Sequence, residues 1–170
     1  MPSPCFSHRF YVPLHEVDAA GLMFFGHLFR HAHDAYEAFM ITLGHPLDHL
    51  IRAGGPLLPL VHAEADYRQP LRHGETLRVE LSLARLGGTS FTLSYRFLDD
   101  AGSERAKAST VHVCLGPDRA TAAPLPEALV AALGAWSLNE LGADEHDRHP
   151  ARDLSLLPLP PNIRQGRVDT

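Results

Sequence analysis

Cysteine is scarce in this chain. The two present, Cys5 and Cys114, stand far apart and make no CxxC spacing. A disulfide framework is therefore not expected, and a reducing cytoplasm is the simplest setting. No apolar run approaches the length that would span a bilayer, so no membrane partner is expected. The opening MPSPCFSHRF lacks the charged-then-apolar layout of a secretory signal. Basic runs are missing as well. With 15 Lys and Arg against 20 Asp and Glu, the formal net charge is -5, which argues against a nucleic-acid partner. Before the tail only Arg68/Arg72 and Arg105/Lys107 come close in spacing, enough to meet a small phosphate group. No internal repeat is visible.

What remains is the composition of an ordinary globular chain, 45% hydrophobic and 21% charged over 170 residues. That length suits one domain with a real core. Residues 8 to 17 place Phe10, Val12 and Leu14 on one side at a period of two, which predicts a strand. From Gly26 to Leu43 the period becomes helical, with Leu28, Ala32, Ala35, Tyr36, Phe39 and Leu43 on one face. Gly44 and Pro46 supply the stop. A connection with one turn near Leu47 to Arg52 leads to a strand from about Leu60 to Gln69, closed by Pro70.

Alternation at Leu77, Val79, Leu81 and Leu83, again at Phe91, Leu93, Tyr95 and Phe97, and a run over 104 to 116 predict three more strands. Their short turns, Gly87-Gly88 and Asp99 to Gly102, make them an antiparallel meander. Leu125 to Leu133 predicts a short helix. From Ala135 onward, charge and proline without periodicity predict a loosely attached tail, so the domain is placed at residues 1–134 and the tail at 135–170. One long helix with a wide apolar stripe and one antiparallel sheet can bury those faces only against each other. The expected class is α+β, with the sheet wrapped around the helix.

The chemistry concentrates at the start of that helix. Asp18 stands in the small-residue loop Ala19-Ala20-Gly21, ahead of Leu22 to Phe25 and Gly26. A carboxylate beside a helix N-terminus sits near unpaired backbone N–H groups and the positive end of the helix dipole. That suits attack on a carbonyl carbon, with the Phe25 and Gly26 amides stabilising the oxyanion. Asp18 can act as nucleophile or as general base towards water, and partial burial near Leu22 to Phe25 would make it a better base. The bland alternatives are that Asp18 caps its loop and that Gly26 only eases the chain into the helix. His33 and Glu37 lie four apart and can reach a substrate hydroxyl, or simply pair. His62 and Glu64 share one face of their strand, where they can line an acyl pocket or form a polar or interface-facing row. His27 and His31 have metal-ligand spacing, but no HExxH or cysteine ligand accompanies them, so no metal is expected. Ser90 lacks a GxSxG elbow, and Cys114 reads as a packed thiol.

Val17-Asp18-Ala19-Ala20-Gly21-Leu22-Met23-Phe24-Phe25 resembles the D-x-A-G-hydrophobic-aromatic signature of hotdog-fold thioesterases of the 4-hydroxybenzoyl-CoA thioesterase type. Tyr67-Arg68-Gln69-Pro70-Leu71-Arg72-His73-Gly74-Glu75 is similar to that family's Y-x-x-P-x-R-x-G-D/E turn, and Gly88-Thr89-Ser90-Phe91, Ala108 and Val113-Cys114 also fall in place. The resemblance covers roughly residues 8 to 133. Within the family, Phe24-Phe25 and His33-Asp34-Ala35-Tyr36-Glu37-Ala38 look most like the branch hydrolysing 1,4-dihydroxy-2-naphthoyl-CoA. The branch acting on short aliphatic acyl-CoAs commonly has histidine where Phe25 stands.

The resemblance implies a hotdog fold and an acyl-CoA substrate with an aromatic acyl group. It implies no cofactor, and a homodimer or dimer-based homotetramer with sites at subunit interfaces. Arg68, Arg72 or Arg85 would meet the CoA phosphates. Two rivals stand beside it: a thioesterase for short aliphatic acyl-CoA or acyl-carrier-protein substrates, and a catalytically silent acyl-thioester binding module. A hydratase on this fold would need a His-and-acid pairing that the sequence does not display. On the sequence alone, Asp18 is the one obvious ionisable group at the helix mouth.

Overall fold

A computed structural model describes residues 5–137. The elements run β1 (Phe6–Tyr11), a 3₁₀ turn (Leu14–Glu16), α1 (His27–Thr42), α2 (Leu47–Arg52), β2 (Leu60–Tyr67), β3 (Thr76–Leu86), β4 (Ser90–Leu98), β5 (Glu104–Val113) and α3 (Glu127–Ser137). The five strands form one antiparallel sheet in the order β1-β3-β4-β5-β2. The meander β3-β4-β5 is therefore its centre, and β1 and β2 are its two edges.

The inner face follows from alternation. Leu77, Val79, Leu81 and Leu83 of β3 and Phe91, Leu93, Tyr95 and Phe97 of β4 are all buried. They meet Leu28, Ala32, Ala35, Tyr36, Phe39 and Met40 from one stripe of α1. Burying a side chain of this size contributes about 2 kcal/mol, so this single interface dominates the fold. The expected sheet around a central helix is what forms. The outer face is polar and laced with ion pairs such as Arg78–Glu80, Arg96–Glu80 and Arg96–Glu104.

α1 stops as its sequence demands. Gly44 takes φ +79, a left-handed value that glycine adopts freely. The Gly44 amide then donates to Ile41 at 3.0 Å and the His45 amide to Met40 at 2.9 Å, the two bonds of a Schellman cap.

Four boundaries differ from expectation. β1 ends at Tyr11, because Pro13 has no N–H for the ladder; Leu14 is exposed and Glu16 is buried in the 3₁₀ turn that follows. β5 ends at Val113, and Leu115 keeps only isolated bridges to Leu57 and Ala122. α3 starts and ends later than the span from Leu125 to Leu133, continuing through Ser137. The expected tail therefore loses its first three residues to α3, and the rest of it lies outside the described residues. β2 is a strand as expected, yet exposed on both faces except at Ala65, because α1 does not extend over it.

Candidate active site

The loop between the 3₁₀ turn and α1 is a tight hairpin. Val17 bridges Met23, and the Asp18 amide donates to the Leu22 carbonyl at 2.8 Å. Gly21 closes the turn at φ +76, with its amide on the Asp18 carbonyl at 3.0 Å. The Asp18 side chain is part of this construction. Its Oδ1 accepts the amides of Ala20 at 2.8 Å and Leu22 at 3.3 Å. The capping role and a chemical role use different atoms, since Oδ2 takes up no hydrogen bond among the described residues. The burial expected around Asp18 is not found within one chain: the residue is exposed.

Past Met23 the chain is fixed from both sides. The Met23 amide donates to Leu71 at 2.7 Å and the Phe24 amide to Glu16 at 2.8 Å, while Leu22 bridges Arg72. The two motif stretches thus lie side by side. Phe24 and Phe25 are left on the surface, 48% and 63% exposed, with ring centroids 4.4 Å apart. The amides of Phe25 and Gly26 have no hydrogen-bond acceptor among the described residues. They sit at the N-terminus of α1, where the helix leaves donors unpaired. Gly26 has φ -64 and ψ -25, ordinary helical values open to any residue. Conformation does not require glycine there, and the one close contact a Cβ would make is with the exposed Phe24 ring at 3.0 Å, which a small shift of that ring relieves.

Tyr67 ties this mouth to the edge strand. Its hydroxyl donates to the Phe25 carbonyl at 2.6 Å. Tyr67 belongs to the quoted Y-x-x-P turn, but its partner was not readable from spacing.

Other ionisable groups surround the helix mouth, contrary to the sequence reading that left Asp18 alone there. Glu16 is 1% exposed, and its carboxylate meets Arg30 Nη1 at 3.0 Å and His31 Nε2 at 2.6 Å. This is also the His-and-acid pairing that the sequence did not display. It points inward and offers no atom to a ligand. His31 is thereby committed to Glu16, so the His27/His31 spacing does not present two imidazoles to a metal.

The remaining residues fall into separate places. His33 and Glu37 are both exposed on α1, with no polar contact between them; His33 instead sets its ring edge-on to Tyr36 at 5.6 Å. Glu64 is exposed on β2 beside His62 at 3.5 Å. Arg68 is drawn to Glu104 at 3.1 Å. Arg72 is exposed beside the Asp18 loop with no ion pair among the described residues. Arg105 is structural, gripping Glu75 at 2.8 Å and the Pro70 carbonyl at 2.9 Å. Burial pushes the Cys114 thiol above its usual range, in line with a packed side chain.

Arg85 belongs to the opposite end of the sheet, near the β3–β4 turn. So does a cleft of about 400 Å³ lined by Gly55, Leu57, Cys114, Pro117, Arg119 and Pro124. From Ala106, paired with Tyr67, to Cys114 is roughly 25 Å along β5 at about 3.3 Å per residue. One chain therefore does not gather Arg72 and Arg85 around one ligand.

The thioesterase-like superfamily profile matches residues 12–133. A 1,4-dihydroxy-2-naphthoyl-CoA hydrolase from Synechococcus elongatus is 39% identical over 115 residues, 67% of this chain and 84% of that protein. Among solved structures, a 1,4-dihydroxy-2-naphthoyl-CoA thioesterase from Synechocystis superposes with a TM-score of 0.72 at 31% identity, covering 77% of this chain and 96% of that one. A gentisyl-coenzyme A thioesterase superposes with a TM-score of 0.68 at 25% identity, covering 75% and 98%.

Proposed function

The chain belongs to the thioesterase-like superfamily of hotdog-fold acyl-CoA thioester hydrolases, and from that premise we propose an aromatic acyl-CoA as substrate and Asp18 as the reacting carboxylate. The observation that carries the reading is the division of labour at Asp18. Oδ1 is held by two loop amides, while Oδ2 is free and exposed, in the same loop that ends at the unpaired amides of Phe25 and Gly26.

Two balanced routes use these atoms. In one, Oδ2 attacks the thioester carbonyl, the C–S bond breaks, CoA leaves as thiolate, and water hydrolyses the resulting anhydride. In the other, Oδ2 takes a proton from water as the water oxygen attacks, and collapse of the tetrahedral intermediate then breaks the C–S bond, CoA leaving as thiol with the proton returned by Asp18. Either way negative charge gathers on the carbonyl oxygen, where one preorganised amide contributes about 3 kcal/mol to lowering the barrier. The exposed Phe24 and Phe25 rings offer apolar surface to a flat acyl group beside Asp18. The relatives named for naphthoyl and gentisyl thioesters favour the same class. His33 and Glu37, exposed on α1, and Glu64, exposed on β2, are the side chains this reading assigns to polar contacts with ring hydroxyls, each from its own place on the surface.

The working unit in this reading is a dimer. β2 is an open edge with Leu60, Val61 and Tyr67 at 50%, 44% and 45% exposure. Two copies pairing antiparallel along it about a two-fold axis set the Tyr67 end of one beside the Leu60 end of the other. The Asp18 loop and Arg72 of one chain then approach the partner's Arg85 and Arg119, a cationic setting for CoA phosphates assembled from both copies.

The test is release of free thiol from a panel of CoA thioesters, with wild type and Asp18→Asn in parallel. Hydrolysis of hydroxybenzoyl or naphthoyl substrates that disappears in the variant is expected. Turnover that survives in Asp18→Asn overturns the mechanism. Activity confined to butyryl- or hexanoyl-CoA overturns the aromatic preference, and an inert wild type favours a silent binding module.

A further inference from the structure

We infer that the buried Glu16–His31 pair, with Arg30, is a positioning element that sets the Asp18 loop against the mouth of α1; the inference rests on the reading of Asp18 above. Glu16 stands between the parts whose alignment that chemistry needs. It is two residues ahead of Asp18 in the chain, its carbonyl accepts the Phe24 amide at 2.8 Å, and its carboxylate grips the first turns of α1 through Arg30 and His31. Residues 17 to 23, Asp18 included, run on from that clamp, are closed on themselves by the Val17–Met23 bridge, and are held on the far side by the Met23 amide on Leu71 and the Leu22–Arg72 bridge.

The clamp is rigid on its helix side. His31 is 5% exposed and its ring stacks on Phe10 at 3.8 Å with planes 18° apart. The 2.6 Å contact between its Nε2 and Glu16 is shorter than an ordinary N–H···O bond. The remaining charged neighbours are farther off: His15 Nε2 is 4.0 Å from Glu16 Oε1, and Asp34 Oδ2 is 3.9 Å from His31 Nδ1. His31 Nδ1 consequently has no hydrogen-bond partner although it is buried.

Stability alone does not call for this arrangement. Taking a carboxylate and an imidazole out of water is costly, and apolar residues of similar volume commonly do as well or better in such places. An unpaired buried nitrogen adds to the cost. What the polar pair supplies that apolar packing does not is directional fixation of one loop on one helix end. Because Glu16 and His31 are both buried, neither touches substrate, and their effect passes through the placement of Asp18 relative to the Phe25 and Gly26 amides.

The experiment compares steady-state kinetics and amide hydrogen exchange in His31→Leu, His31→Gln, Arg30→Met and Asp18→Asn with wild type. Leucine removes the donor and keeps apolar bulk, whereas glutamine places an N–H donor at the reach of Nε2. Misplacing reacting groups by about 1 Å costs up to a hundredfold. His31→Leu is therefore expected to lower kcat by about tenfold or more with KM little changed, and to speed exchange selectively in residues 17–26. His31→Gln is expected to recover most of the turnover. Arg30 is an exposed side chain, so Arg30→Met keeps the test open if His31→Leu does not fold, and a smaller kcat loss is expected there. Wild-type kcat in both His31→Leu and Arg30→Met overturns the inference. So does no recovery in His31→Gln, or exchange accelerated throughout the chain. Turnover retained in Asp18→Asn overturns instead the reading on which the inference rests.

Discussion

The Tyr67 hydroxyl donates to the Phe25 carbonyl at 2.6 Å, across the gap between the open edge strand and the start of α1. The carbonyl it binds belongs to the same peptide group as the Gly26 amide. Drawing electron density towards the carbonyl oxygen polarises that N–H, so if the Gly26 amide serves the oxyanion as proposed, Tyr67 strengthens that donor without touching the ligand. Tyr67→Phe removes the hydroxyl and keeps the ring. Stability is expected to fall by about 1 kcal/mol or less, the usual net worth of such a bond. Turnover is expected to fall about three- to tenfold at little change in KM, since the weakened donor acts on charge that develops only in the transition state. Unchanged kcat would show that the Tyr67 bond does not tune the Gly26 amide.

Asp18 offers a cleaner separation of structure from chemistry. Asparagine retains an Oδ1 acceptor for the Ala20 and Leu22 amides and loses the carboxylate, whereas alanine loses both. Thermal unfolding of Asp18→Asn is expected to match wild type, and Asp18→Ala to be less stable by about 1 kcal/mol. Both are expected to lose about a hundredfold or more in kcat, the usual share of a general base or nucleophile. Equal stability of the two variants would mean that the loop does not depend on the Oδ1 bonds.

What could be read along the chain was whatever depends on local period and local turn chemistry. α1 and the meander β3-β4-β5 carry amphipathic faces that have only one partner each, so their identity and mutual packing follow from spacing. The Asp18 loop was legible for the same reason, being a local device built within a few residues. Glu16 was not. The alternation of Phe10 and Val12 points the next buried position at Leu14, yet Pro13 breaks the ladder and turns Leu14 out and Glu16 in. A buried carboxylate is tolerable only with partners, and these come from α1, at distances along the chain that no periodicity encodes. The exposure of β2 was legible only in part: His62 and Glu64 mark one polar row, but that the other face is open as well, apart from Ala65, is not written in the strand itself.

That uncovered edge gives a direct test of assembly. Val61 lies on β2, 44% exposed, with no charge of its own to discourage another strand. In an antiparallel pairing of two copies each Val61 is covered, and a lysine there places two ammonium groups in one seam at a cost of several kcal/mol. Val61→Lys is expected to convert a dimer to a folded monomer in light scattering, with thioester turnover lost in proportion. A variant that remains dimeric and active removes β2 from the interface.

His112 makes stability depend on pH in a predictable direction. It is buried in the sheet's inner face, its ring stacked on Tyr36 at 4.4 Å and on Phe91 at 5.2 Å. Its Nδ1 lies 3.2 Å from the Leu58 carbonyl, which can only accept, so Nδ1 carries the proton and Nε2 is left as an acceptor for the Thr110 hydroxyl at 3.2 Å. Thr110 in turn takes the Tyr95 hydroxyl at 3.0 Å, completing a chain of neutral groups that a second imidazole proton would break. Burial is the main reason its pKa drops from 6.5 to about 4; the nearby His33 charge adds to the drop and the Leu58 bond opposes it. In the unfolded chain the imidazole titrates normally. Between those two values the unfolded state therefore binds a proton that the folded state refuses, and stability declines as pH falls through that window. The full shift corresponds to about 3 kcal/mol, reached near pH 4 and absent above neutrality. His112→Asn keeps a donor for Leu58 and cannot titrate. It is expected to be less stable than wild type at pH 7, and the gap measured by urea unfolding is expected to narrow steadily towards pH 4. Parallel curves for the two proteins would show that this imidazole is not held neutral by its surroundings.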